Sequence, residues 1–205
     1  MDQVTTFTDD EIARLLRINE SLQQEADAFL QDSGFGSIIA AAGFNAVGSY
    51  VMGTMTWRDL DFERISEEPS WPDHWALGQA LSETGWGWRL CCVDAYRDPR
   101  TPGDQGYYWG LRACSPQGGP TWKLDLWTAR AHEFTPDDRR AGWMAALNEE
   151  SRLHVLAIKE AVCTHPSYRN TLLSVHIYEA VLEHGVRGID AFWAWWHARQ
   201  ECLPK

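Results

Sequence analysis

The chain has 205 residues, enough for one full hydrophobic core with a smaller helical part beside it. An apolar fraction of 44% and twelve tryptophans exclude a disordered tail, and a formal net charge of -11 argues against a long nucleic acid as the main partner. Five cysteines with no C-x-x-C pair fit neither a disulfide framework nor a zinc cluster, acidic residues stand where a signal peptide needs basic ones, and no apolar run approaches bilayer length. These features predict a cytoplasmic protein with no membrane association.

In chain order, "TDDEIARLLRINESLQQEADAFLQDSG" opens with Thr8 and carries Glu11 three residues later, a capping box ahead of Ile12, Leu15, Leu16 and Leu22 at helical spacing, with Gly34 as the stop. A short helical turn is expected around residues 38–42. "FNAVGS" reads as a brief buried strand ending at Gly48-Ser49, followed by a helical turn over 50–55 and a strand over 57–65. A helix over 71–83 ends at Gly85. "WGWRLCCVDAYRD", "GYYWGLRAC" and "PTWKLDLWTA" are aromatic-rich strands separated by Gly/Pro-rich segments, the pattern of an antiparallel meander. Helices over 136–149, 151–164, 174–183 and 189–200 complete the chain. The predicted class is α+β: a small mixed sheet with flanking helices over residues 1–132, then a C-terminal helical bundle over 133–205.

"GSYVMGTMTWRDLDFE" (residues 48–63) places Asp59 and Asp61 at i and i+2, so both carboxylates share one face of a strand while Leu60 and Phe62 take the other. Like charges that close call for a cation between them. In "TWKLDLWT", Asp125 stands between Leu124 and Leu126 with the same local design, on a face shared with Lys123 and Trp127. Three carboxylates on neighbouring strands suit hard divalent ions, and a pair of such ions roughly 3.5–4 Å apart can clamp the attacking and leaving oxygens of a phosphoryl displacement.

Gly48-Ser49, then Asp59-Leu60-Asp61, then Leu124-Asp125-Leu126 resembles the nucleotidyltransferase superfamily typified by DNA polymerase beta. Its signature is a Gly-Ser or Gly-Gly, a gap of about ten residues, an acid pair one residue apart and a third acid on a later strand. In size and layout the chain is more similar to the small bacterial members, which include antibiotic nucleotidyltransferases. The resemblance covers about Phe44 to Thr128.

The resemblance implies that Gly48 lets backbone approach a triphosphate and that Ser49 hydrogen-bonds its terminal phosphates. It implies that Asp59 and Asp61 hold two Mg2+ ions, and that Asp125 completes the catalytic metal site and helps take the acceptor's proton. The implied reaction is attack of a hydroxyl on the α-phosphate of a nucleoside triphosphate, with ATP the expected donor, releasing pyrophosphate. The acidic net charge favours a small-molecule acceptor, an antibiotic being one analogy. The competing expectation is a non-catalytic member that binds a nucleotide or a partner protein, such as half of a toxin–antitoxin pair.

Around these positions, Trp57, Lys123 and Trp127 share the acids' faces and either meet base and phosphate or cover the core edge, while Arg58 alternates away and reads as structural. Lys159, in "LAIKEAV", either reaches a triphosphate or is a solvated lysine. The seven histidines have no zinc-binding spacing. "FWAWWHARQ" reads as core packing or a homodimer contact.

Overall fold

A computed structural model describes residues 7–98, 105–133, 137–168 and 170–201. The capping box at Thr8 forms: Thr8 N donates to Glu11 Oε2 at 2.9 Å and Glu11 N donates to Thr8 Oγ1 at 3.3 Å. It opens α1 (Asp9–Asp32), and Gly34, at φ 74°, turns the chain into α2 (Phe35–Ala41). Next come β1 (Asn45–Val47), α3 (Gly48–Met52), β2 (Asp59–Ile65), α4 (Trp71–Glu83), β3 (Gly87–Asp94), β4 (Tyr107–Ala113) and β5 (Trp122–Ala129). The turn expected over 50–55 begins earlier, so Gly48 and Ser49 lie inside α3 rather than ahead of it. Trp57 and Arg58 precede β2, where Asp59 N donates back to Trp57 O at 3.0 Å in a turn.

The sheet is mixed, with strand order β1-β2-β5-β4-β3. β3, β4 and β5 form the antiparallel meander, β1 pairs antiparallel with β2, and β2 pairs parallel with β5. Alternation along the strands sends Leu60, Phe62, Trp109, Leu111, Trp122, Leu124 and Leu126 to one face, where all are buried. Phe29 of α1 stacks on Trp122 with ring centroids 5.4 Å apart. α4 also seals this face. Trp109 Nε1 donates to His74 O at 2.7 Å, His74 Nδ1 pairs with Thr128 Oγ1 at 2.9 Å, and a Cβ added at Gly78 would lie 2.1 Å from the Trp109 ring. The helix can lie against that indole only because position 78 carries no side chain.

The chain forms two compact units, Ser21–Asp137 around the sheet, and Met1–Glu20 together with Asp138–Lys205. In the second unit Leu15 packs with Leu153 and Leu156, and Arg14 Nη2 donates to Glu160 Oε2 at 2.7 Å. The first part of α1, through Glu20, therefore groups with the C-terminal helices rather than with the sheet that follows it in sequence. The helices are α5 (Asp137–Ala146), α6 (Glu149–Val162), α7 (Ser174–Tyr178), a π-helical turn (Glu179–Glu183) and α8 (Ile189–Glu201).

Two helices differ from the sequence expectation, α6 and the one over 174–183. Pro136, the expected start of α5, lies outside the described residues, as does Cys202. α6 starts at Glu149 because Asn148 caps it: Asn148 Oδ1 accepts from Ser151 N and Ser151 Oγ accepts from Asn148 N, both at 2.9 Å. The helix expected over 174–183 widens at the buried Glu179, whose carboxylate takes Arg199 at 2.8 Å and Arg139 at 3.3 Å. In α8, Phe192 and Trp196 are buried in this unit, the core-packing alternative for the aromatic cluster.

Candidate functional site

The register of the β2–β5 pair builds the acidic face. Asp61 lies opposite Asp125 and Asp59 opposite Lys123, and on the far side of β5 the partner of Asp125 is Gly110 of β4. Since Leu60, Phe62, Leu124 and Leu126 are held in the core, their alternating neighbours have no choice but the opposite face. Each of Asp59, Asp61 and Asp125 offers a carboxylate oxygen, and these oxygens lie within 4.8 Å of one another. The three acids predicted to converge do converge.

Gly48 borders the same point. Val47 pairs with Asp61 across β1 and β2, so the next residue turns over the carboxylate. Gly48 has φ 68°, and a Cβ there would stand 2.7 Å from Asp61 Oδ2. Both the left-handed backbone and the close approach require glycine. Ser49 is buried in α3, where its carbonyl accepts from Thr54 N at 2.9 Å. Arg58 donates through Nε to Glu25 Oε2 at 2.8 Å, tying the entrance of β2 to α1 in the structural role expected of it.

Three donors hold the carboxylates. Lys123 Nζ donates to Asp59 Oδ1 at 3.0 Å and Oδ2 at 3.3 Å, and also to Asp125 Oδ2. Trp57 Nε1 donates to Asp59 Oδ2 at 3.2 Å, and Tyr108 OH donates to Asp125 Oδ1 at 2.8 Å. Burial pulls the Lys123 ammonium down, but the charges of Asp59 and Asp125 outweigh it and raise its pKa above that of an ordinary lysine. Burial first, and then the Asp125 charge, push the Tyr108 phenol well above its usual range, so it stays a neutral donor. Trp127 covers the Tyr108 ring at 4.7 Å between centroids.

Tyr108 and Gly110 escaped the sequence reading. Alternation in "GYYWGLRAC" puts both on the face opposite Trp109 and Leu111, which is a legible signal, but only the pairing of β4 with β5 brings them to Asp125. A Cβ at Gly110 would lie 2.4 Å from Tyr108 OH, so the bare position is what lets the phenol lie across β4 to the acid.

The donor set fits divalent metal. Three carboxylates supply hard oxygens, and the Lys123 ammonium already sits between two of them, direct indication that the cluster accommodates positive charge. A second acidic group, Glu179, Glu183 and His184, belongs to the helical unit and is answered by Arg139, Arg199 and the Trp143 indole, so it forms an ion-pair network. Lys159, in that same unit, is 1% exposed with Nζ 5.7 Å from the Tyr178 ring centroid; the reading as a solvated lysine is corrected. Four described cysteines, Cys91, Cys92, Cys114 and Cys163, are free thiols, and no described helix is long and apolar enough to cross a membrane.

No family model and no curated protein matches the sequence. Among solved structures, the chain is similar to one in the non-canonical poly(A) polymerase complex GLD-2–GLD-3, with a TM-score of 0.58 at 12% identity. The match covers 89% of this chain and 61% of that one, so this chain spans about three fifths of its neighbour's length. At that identity the likeness is one of fold alone: a mixed sheet with flanking helices.

Proposed function

We propose that the protein is a Mg2+-dependent nucleotidyltransferase that moves a nucleoside monophosphate from a triphosphate, ATP in the first instance, to a hydroxyl of a small molecule, releasing pyrophosphate. The observation that carries this reading is the meeting of Asp59, Asp61 and Asp125 beside the glycine turn at Gly48. Asp59 and Asp61 would hold two ions and Asp125 would share one of them. When bound, the metal supplies Lewis-acid stabilisation of charge on the phosphates.

The chain's own residues do the rest. Gly48 keeps side-chain bulk away from the phosphates, and the Ser49 hydroxyl and the Lys123 ammonium bind them. Asp125, oriented by Tyr108, accepts the proton of the acceptor hydroxyl as that oxygen attacks the α-phosphorus. An RNA acceptor, as for a poly(A) polymerase, meets a chain of net charge -11, and this favours a small acceptor such as an antibiotic.

One observation favours a second reading. Lys123 gives Asp59 and Asp125 a positive partner without any metal, which makes the cluster more tolerable in a member that binds nucleotide or a partner protein and performs no transfer. Purified protein with Mg2+, each of the four triphosphates and a panel of hydroxylated acceptors separates the two by pyrophosphate release. Turnover with one triphosphate and one acceptor class establishes the enzyme. A nucleotide-dependent rise in melting temperature without turnover on any acceptor moves the assignment to the binding protein.

A further inference from the structure

We infer that Lys123 is the resident cation of the acidic cluster and that a divalent ion gains Asp59 and Asp125 only by displacing its ammonium, so that this lysine sets the metal affinity of the site. The inference rests on the metal-site reading above. Its basis is the occupancy of the carboxylate oxygens. Asp59 Oδ1 takes Lys123 at 3.0 Å, and Asp59 Oδ2 is shared between Trp57 at 3.2 Å and Lys123 at 3.3 Å. Asp125 Oδ2 takes Lys123 and its Oδ1 takes Tyr108.

An ammonium and a divalent ion cannot share these oxygens at contact distance, because their mutual repulsion at a few ångströms, in a half-buried site, rivals the attraction that holds either. Lys123 is suited to leave. Its charge sits on a flexible four-carbon stem, and its side chain is 23% exposed. Once out, the ammonium remains tethered beside the acids, where the triphosphate that arrives with the metal gives it a new anionic partner. Trp57 and Tyr108, being neutral donors, have no such conflict and keep Asp59 and Asp125 aimed throughout.

Two measurements on the full chain test this. Calorimetric titration of Mg2+ into wild type and Lys123→Gln compares affinities without any turnover. The variant leaves Asp59 and Asp125 without the ammonium that bridges them, and its Mg2+ affinity rises at least about tenfold. Reductive methylation of wild type, followed by mass spectrometry, reads the exposure of Lys123 Nζ with no substitution at all, and labelling at Lys123 rises several-fold on saturation with Mg2+. If wild type binds Mg2+ and Lys123→Gln binds it equally or more weakly, Lys123 is not a competitor and the inference falls while the metal site stands. Labelling unchanged by Mg2+ in a wild type that binds the ion overturns it in the same way, whether or not the variant folds. Absence of Mg2+ binding by both proteins overturns the inference and the metal-site reading together.

Discussion

The Tyr108 phenol reaches Asp125 Oδ1 at 2.8 Å by passing over Gly110, the residue paired with Asp125 in the neighbouring strand. The aim of the third acid is thus set from β4 by one aromatic side chain and one missing side chain. Tyr108→Phe removes the donor and leaves the ring packed against Trp127, so the fold is retained within about 1–2 kcal/mol while pyrophosphate release slows by about tenfold. Gly110→Ala reaches the same defect by another route, since its Cβ would displace the phenol. Denaturant melts and steady-state rates on the two variants check that they match each other, and a Tyr108→Phe enzyme as fast as wild type removes Tyr108 from the site.

Asp61 is the acid that faces Asp125 directly across the parallel pair. Asp61→Asn keeps its volume and takes away a charge that two ions would share. Turnover is expected to fall more than a hundredfold, while the metal-free melting temperature stays within a few degrees of wild type. Equal rates for the two proteins would count against the catalytic reading in a single assay.

Gly48→Ala tests the glycine turn. Holding alanine at φ 68° costs about 1–3 kcal/mol, and the new methyl group, 2.7 Å from Asp61 Oδ2, displaces that carboxylate. The variant should lose both stability and Mg2+ affinity. Loss of stability with an unchanged Mg2+ titration would separate Gly48 from the metal site.

Acid sensitivity has a source away from the acids. Burial depresses the His74 pKa from its usual 6.5 to about 4, so in the folded protein it stays neutral where the unfolded chain would take up a proton. Between pH 6.5 and about 4 the unfolded state binds more protons, and stability falls by about 1.4 kcal/mol per pH unit per such histidine as pH drops. The contribution is fully present above pH 6.5. His154 and His176 are lowered by burial as well and add to the same slope. Denaturant midpoints over pH 4–7 measure it, and His74→Gln should flatten the curve by about one proton; an unchanged slope would place the proton uptake elsewhere.

Much of the fold was legible because its signals are local. Thr8 and Glu11 announce α1, Ser70 accepts from Asp73 N to start the helix at Trp71 as read, and the leucines around each acid fix which face it takes. Strand order was beyond such reasoning. That β5 inserts between β2 and β4 follows from how the sheet closes, and with it come the partners Lys123–Asp59 and Tyr108–Asp125, joined across 64 and 17 residues. The capping of α6 by Asn148 was missed by crediting Ser151, the other half of the same box, with the helix start. Lys159 was misread because a helix facing a core on several sides leaves no exposed stripe to betray its lysine.

The strand that brings the third negative charge into the cluster carries a positive one two positions earlier. Docking β5 onto β2 therefore adds no net charge to an edge that already bears two carboxylates. The third carboxylate thus arrives with its own counter-ion, and the repulsion within the centre grows no further when the parallel pair zips.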